Sequence, residues 1–179
     1  MESLEGNTLI NLGILGINEG NGHPYSYSSI FNGFDKEALY KYCPFPLIKN
    51  YLPIGFEKFG IIESAKISYI WTQDIKVSRN IAKISNIKFV VKNFTDMIGK
   101  VDGVIIARDD PENHLMMAEP FIKSKIPVFL DKQLTSSQKD LKSFFKLVGP
   151  SGKFMACSPM RYNPDISEKK IKKIITKSP

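Results

Sequence analysis

Short apolar runs alternate along this chain with longer stretches whose apolar residues recur every three or four positions. Short apolar runs bounded by turn residues read as buried strands, and the longer-period stretches as amphipathic helices. The runs are Leu9–Ile17, Ala65–Thr72, Phe89–Val91, Val101–Ala107, Val128–Leu130 and Phe154–Ser158. The fourth is apolar enough to be buried on both faces. Helical spacing follows the second run, where Ile75, Val77, Ile81, Ala82 and Ile84 share a face. It recurs from Pro111 to Lys125, with a bend expected at Pro120, and from Thr135 to Leu147. In the last of these Leu134, Leu141, Phe144, Phe145 and Leu147 are the predicted core contacts. A shorter helix is predicted from Tyr25 to Phe31 behind Pro24, and a short helix or turn over Asp96–Lys100. Strands alternating with helices predict an α/β fold, a three-layer, Rossmann-type, doubly wound parallel sheet with helices on both faces.

Residues 32–64 break the alternation. Cys43-Pro44-Phe45-Pro46 forbids one continuous helix, and amphipathic pieces flank the prolines. This stretch reads as an irregular insertion covering one edge of the domain. The domain is expected to span residues 1–160. Residues 161–179 then form a Lys/Ile-rich tail, or the start of a further domain, with helical spacing.

Charge and cysteine content narrow the function classes. The net charge is +7, yet lysine is widely spread and forms one dense run, Lys169-Lys170-Ile171-Lys172-Lys173. Nucleic-acid binding calls for basic residues gathered on one face, so it is disfavoured, and the run reads as a solvated helix face. Cys43 and Cys157 stand apart, outside any Cys-x-x-Cys or Cys/His cluster, so free thiols are expected and no metal site. The acidic start lacks the features of a secretion signal, and no apolar stretch reaches the roughly 18 residues of a membrane span. A cytoplasmic location without membrane contact is expected.

The first strand runs into Gly16-Ile17-Asn18-Glu19-Gly20-Asn21-Gly22-His23-Pro24. A diphosphate binds where a strand ends, glycines let the backbone approach, and a helix presents free N–H groups. The common G-x-G-x-x-G spacing would put glycine at positions 16, 18 and 21, whereas Asn18 and Asn21 stand there and the glycines move to 20 and 22. Asn tolerates positive φ better than most residues. A surface turn is the competing reading of this segment. Asp74 ends the second strand, where an acid can bond ribose hydroxyls and would repel a 2′-phosphate, favouring NAD over NADP. It lies further from Gly16 than the usual spacing of about 20 residues, an excess the insertion accounts for. Its alternative role is to cap the following helix.

The segment from Val101 through Ala107-Arg108-Asp109-Asp110-Pro111 to His114, and its continuation to Phe129-Leu130-Asp131-Lys132, resembles the glucose–fructose oxidoreductase/inositol dehydrogenase/MocA family. Gly22-His23-Pro24-Tyr25-Ser26 and Ile70-Trp71-Thr72-Gln73-Asp74 resemble one branch of it, and the likeness covers about Leu12 to Tyr162. The resemblance implies an NAD(P)-binding oxidoreductase domain acting on a hydroxyl or carbonyl of a sugar, polyol or related substrate. It implies cofactor contacts from Gly16, Asn18, Gly20, Gly22, His23, Asp74, Ala107, Arg108, Asp109, His114 and Lys132. Lys132 is the implied catalytic residue, because the family's fifth strand ends in Glu-Lys-Pro, with the lysine at the active site.

Two departures bear on catalysis. Gln133 replaces the motif's proline, so a trans Lys132–Gln133 bond with a displaced Lys132, or else considerable local strain, is expected, since a cis bond before a non-proline costs about 2.5–4 kcal/mol. The family's α+β substrate domain would follow Tyr162, and residues 163–179 are too few for it. Substrate binding would then need another domain or chain, and the alternative function is a non-catalytic nucleotide-binding module or partner subunit. Apolar sheet surface left open by a missing domain would favour homo-oligomers.

Overall fold

A computed structural model describes residues 9–150 and 152–158. The tail beyond residue 160, with its lysine run, lies outside the described residues. Six parallel strands form one sheet in the order β3-β2-β1-β4-β5-β6. They are β1 (Ile10–Leu15), β2 (Ala65–Trp71), β3 (Phe89–Val90), β4 (Gly103–Ile106), β5 (Val128–Asp131) and β6 (Phe154–Cys157). The helices are α1 (His23–Asn32), α2 (Lys36–Tyr42), α3 (Pro46–Phe59), α4 (Ile75–Ile84), α5 (Pro111–Lys123) and α6 (Gln138–Val148). A 3-10 turn occupies Phe94–Met97. The doubly wound architecture expected from the alternation is the one observed. All of β4 is buried, matching its uninterrupted apolar sequence.

Two hydrophobic layers sandwich the sheet. On the first face Ile14, Ile67, Ile70 and Ile105 pack with Tyr25 of α1 and with Ile81 and Ile84 of α4. On the second, Leu15, Val104, Ile106 and Leu130 pack with Met117 and Phe121 of α5 and Phe144 of α6. Strand order reverses between β1 and β4, where Leu15 pairs with Trp71 on one side and Ile106 on the other. The chain therefore leaves both strands on opposite sides of a crevice at their carboxyl ends, the place where open α/β sheets bind ligands.

Residues 32–64 are more regular than their prolines suggest. Pro46 starts α3, where a missing N–H is harmless, and Asp35 caps α2 by accepting from the Ala38 N–H at 2.7 Å. The two helices lie on α4 and α1, and Leu39, Cys43, Ile48 and Leu52 join the first layer. Pro120 stays inside α5. Two core assignments change. Phe144 is buried, but Phe145 is 72% exposed and Leu141 is exposed, because one residue of rotation in α6 carries its neighbour off the sheet-facing stripe.

Candidate functional site

The glycine turn joins β1 to α1, and its three glycines answer three different constraints. A Cβ on Gly16 would lie 2.2 Å from Cγ of Pro24, so only glycine lets α1 seat against the end of β1. Gly20 has φ of 76°, in the region glycine adopts without strain. A Cβ on Gly22 would lie 2.5 Å from Cδ1 of Ile48 in α3, which ties the turn to the helical insertion. The turn is further held by the Gly16 N–H donating to the Trp71 carbonyl at 3.0 Å and the Ile17 N–H to Gln73 Oε1 at 2.9 Å. Among the described residues, the N–H groups of Asn18, Glu19, Gly20 and Gly22 meet no acceptor in the chain. Glycine at the displaced positions therefore still produces a turn with free donors just ahead of α1. Those donors suit an anionic group.

Asn18 has a second role. Its side-chain amide bonds the Asp109 carboxylate, while its Oδ1 accepts from the Asp109 N–H at 3.1 Å. The turn after β1 is thereby latched to the loop after β4. Arg108 adds a parallel latch, donating to the Ile17 carbonyl at 2.8 Å and gripping Asp110 with both Nε and Nη2. Burial pushes the Asp110 carboxyl up, but the hydrogen bonds from Arg108 and Asn113 outweigh it and hold the group below the usual carboxylate range. Arg108 is buried by these bonds, so its charge serves the loop.

Asp109 also accepts from Lys132 Nζ at 2.5 Å. Burial raises its carboxyl, and the bonds from Lys132 and Asn18 together with the lysine charge more than reverse that, leaving it low. Both side chains are about one-third exposed, at 34% and 30%, so the pair is open to solvent. The Lys132–Gln133 bond is trans, the outcome expected once proline is replaced, and Lys132 takes φ of 65°. Its own N–H donates to the Cys157 carbonyl at 3.1 Å, fixing the strained residue against β6.

His23 does not face the turn it begins. Its Nδ1 bonds the carboxylate of Asp131, which is fully buried at the end of β5 and accepts Tyr27 Oη at 3.1 Å on its other oxygen. The His23 and Tyr27 rings stack with centroids 5.1 Å apart. Burial and then the Asp131 charge push the Tyr27 hydroxyl well above its ordinary range, so it stays a donor. This trio bolts α1 to β5. His114 is another internal strut, with no exposed surface and its ring nitrogens 3.1 Å from the Leu134 carbonyl and 3.2 Å from that of Arg108. It therefore shapes the loops after β4 and β5 from beneath. Ala107 is likewise fully buried, its N–H donating to the Leu15 carbonyl at 2.8 Å.

Asp74 stands exposed beyond β2 and caps α4, accepting from the Lys76 N–H at 2.8 Å. Sequence reasoning missed Gln73, Asp131 and Tyr27 as site-building groups. It also missed Asn21, whose Oδ1 accepts the His23 N–H at 2.8 Å. The Asn21 amide nitrogen is buried without a hydrogen bond of ordinary geometry, although near enough to Asp109 to help hold its charge. Only the alternation of Asn and Gly in the turn hinted at these contacts. Among the described residues no group of three His, Cys, Asp or Glu could hold a metal ion, and no helix is long and apolar enough to cross a membrane.

No protein-family model matches the sequence, and comparison with curated proteins finds no match. Solved structures do match. Apo scyllo-inositol dehydrogenase from Lactobacillus casei superposes with a TM-score of 0.62 at 14% identity, over 95% of this chain and 42% of that enzyme. The fold is a Rossmann fold, shared with part of that dehydrogenase. The same L. casei enzyme with bound NAD(H) and scyllo-inositol gives 0.61 at 16% identity, over 94% of this chain and 41% of the enzyme. Myo-inositol 2-dehydrogenase from Lactobacillus plantarum gives 0.61 at 15% identity over the same shares. This Rossmann chain spans about two-fifths of the length of the enzymes it matches, and the structural likeness falls on the family its sequence resembles.

Proposed function

We propose that this chain is the dinucleotide-binding domain of an NAD-type oxidoreductase that moves hydride between nicotinamide and a hydroxyl or carbonyl carbon of a sugar, polyol or related substrate. The observation that carries the reading is the crevice itself. A glycine turn with unpartnered N–H groups just ahead of α1 meets the Lys132–Asp109 pair where the strand order reverses. The L. casei enzyme of like fold was solved with NAD(H) and scyllo-inositol, which supports the same ligand classes here.

The residues present fit a dinucleotide. The N–H groups of Asn18, Glu19, Gly20 and Gly22 would hold the diphosphate, and Asp74 the adenosine ribose. NAD is favoured over NADP because Asp74 would repel a 2′-phosphate. Ala107 and Asp109 would border the nicotinamide side, with Arg108 and His114 holding the loops there. His23 would support the turn from Asp131. When bound, the nicotinamide supplies the hydride acceptor or donor. Lys132, oriented by Asp109, would donate to the substrate oxygen and hold its carbon in line.

A second reading, nucleotide binding without turnover, draws on the commitment of Lys132 to Asp109 and its positive φ. Both readings require binding, and Trp71, the chain's one tryptophan, ends β2 beside the crevice as a built-in probe. Saturable quenching of Trp71 emission by NADH, with energy transfer to the nicotinamide, is the expected result. Quenching that rises without saturation, as with a mere absorber, defeats both readings. Oxidation of a polyol by the chain, alone or with an added partner chain, then separates the first from the second.

A further inference from the structure

Taking hydride from a hydroxyl carbon also releases the hydroxyl proton, and the Lys132–Asp109 pair is poorly made to accept it. Lys132 bonded to a carboxylate is an ammonium, with three donors and no acceptor. Against the effect of burial, the bonds from Lys132 and Asn18 hold the Asp109 carboxyl below its usual range, which makes it a weak base. The chain has two histidines. His114 is fully buried, with both ring nitrogens against backbone carbonyls. His23 differs. Its Nδ1 is bound to Asp131 and its side chain is 30% exposed. Among the described residues its Nε2 has no partner, and that atom is not buried.

We propose that His23 is the general base of the reaction, oriented by Asp131, with Lys132 as the hydrogen-bond donor to the same substrate oxygen. The inference rests on the oxidoreductase reading above. Asp131 is fully buried, and its two oxygens accept from His23 Nδ1 and the Tyr27 hydroxyl. With the proton on Nδ1, the neutral imidazole carries its lone pair on Nε2. Stacking on Tyr27 fixes the plane of the ring. His23 follows Gly22 of the turn and Asp131 precedes Lys132, so the dyad ties the proposed diphosphate turn to the strand end that carries the lysine. In the oxidising direction the C–H electron pair leaves as hydride to the nicotinamide, and the O–H pair becomes the second bond of the carbonyl. The proton passes to Nε2, and the Asp131 carboxylate stabilises the imidazolium until water takes the proton. Reduction runs through the same groups in reverse, with the imidazolium as the acid.

Diethyl pyrocarbonate acylates an accessible imidazole nitrogen that carries a lone pair, and it tests this in the unmodified chain. Peptide mass spectrometry should find His23 acylated and His114 untouched. Saturating NADH, with occupancy followed by Trp71 quenching, should slow the acylation of His23 about tenfold or more. Nitrogen NMR of the free chain should show neutral His23 as the Nδ1–H tautomer. An acylation rate unchanged by bound NADH overturns the proposal and leaves the dinucleotide reading standing, and so does an Nε2–H tautomer. NADH that never occupies the folded chain overturns both. With a polyol, and with any partner chain that turnover requires, His23→Ala should lower the rate about a hundredfold or more, with partial rescue by added imidazole. A rate close to the parent's, or a loss that imidazole does not relieve, overturns the assignment of His23 as the base.

Discussion

Gly16 sets how closely α1 can approach β1, since a Cβ there would sit 2.2 Å from Pro24. Gly16→Ala must push helix and strand apart, an overpacking defect of about 1–3 kcal/mol. The expected melting temperature falls by roughly 2–10 °C for a domain of this size. An unchanged melt would mean that the turn is not packed as described. Asp109 makes a claim about pH. Its carboxyl is held low by Lys132 and Asn18. The stability it contributes is thus present above the ordinary carboxylate range near about 4 and is lost as pH falls through the lowered value. Thermal melts between pH 7 and 3 should show Asp109→Asn less stable at neutral pH and less sensitive to acid than the parent. Equal acid slopes would contradict the pairing. Much of this residue-level machinery was hidden in the sequence. Lys132 and Asp109 could be picked out by their places after β5 and β4, but the bond between them joins residues 23 positions apart. The contacts of His23 with Asp131 and Asn18 with Asp109 span 108 and 91 positions. Side-chain partners across such distances follow from packing, which local pattern does not encode.

At the scale of elements, Asp74 has one role seen and one proposed, and two substitutions separate them. Asp74→Ala removes the α4 cap, at about 1 kcal/mol, and the proposed ribose contact as well. Asp74→Ser keeps a capping oxygen but not the second carboxylate oxygen. The expected pattern is a lower melting temperature only for Asp74→Ala, with NADH affinity weakened by about tenfold, or 1.4 kcal/mol, in both. Normal affinity in Asp74→Ser would leave the residue as a cap alone. Helix α6 carries a sharper contrast between neighbours. Phe144→Ala should cost about 3–5 kcal/mol by leaving a cavity, and Phe145→Ala about 0.5 kcal/mol or less, read from urea melts. Equal losses would place α6 in another rotation. Most elements were legible because strand and helix periods differ and each βα unit is short. The phase of α6 was not, because two adjacent phenylalanines fit the stripe equally until the sheet fixes its rotation. The prolines around Cys43 suggested irregularity, yet Pro46 sits where a helix begins.

For the whole molecule, the strand order reverses between β1 and β4, and side-chain bonds join the loops after β1, β4 and β5 through Asn18, Asp109 and Lys132. The resemblance read from residues 12–162 and the superposition on inositol dehydrogenases agree on that architecture. What the architecture is for rests on ligand binding. The most direct test is a calorimetric titration of the folded chain with NADH and, in parallel, NADPH. Saturable binding of one NADH per chain, with a dissociation constant below about 1 mM (roughly −4 kcal/mol), and weaker binding of NADPH, is the predicted result. No heat of binding at millimolar NADH, from a sample whose spectrum shows the α/β fold, would contradict the account.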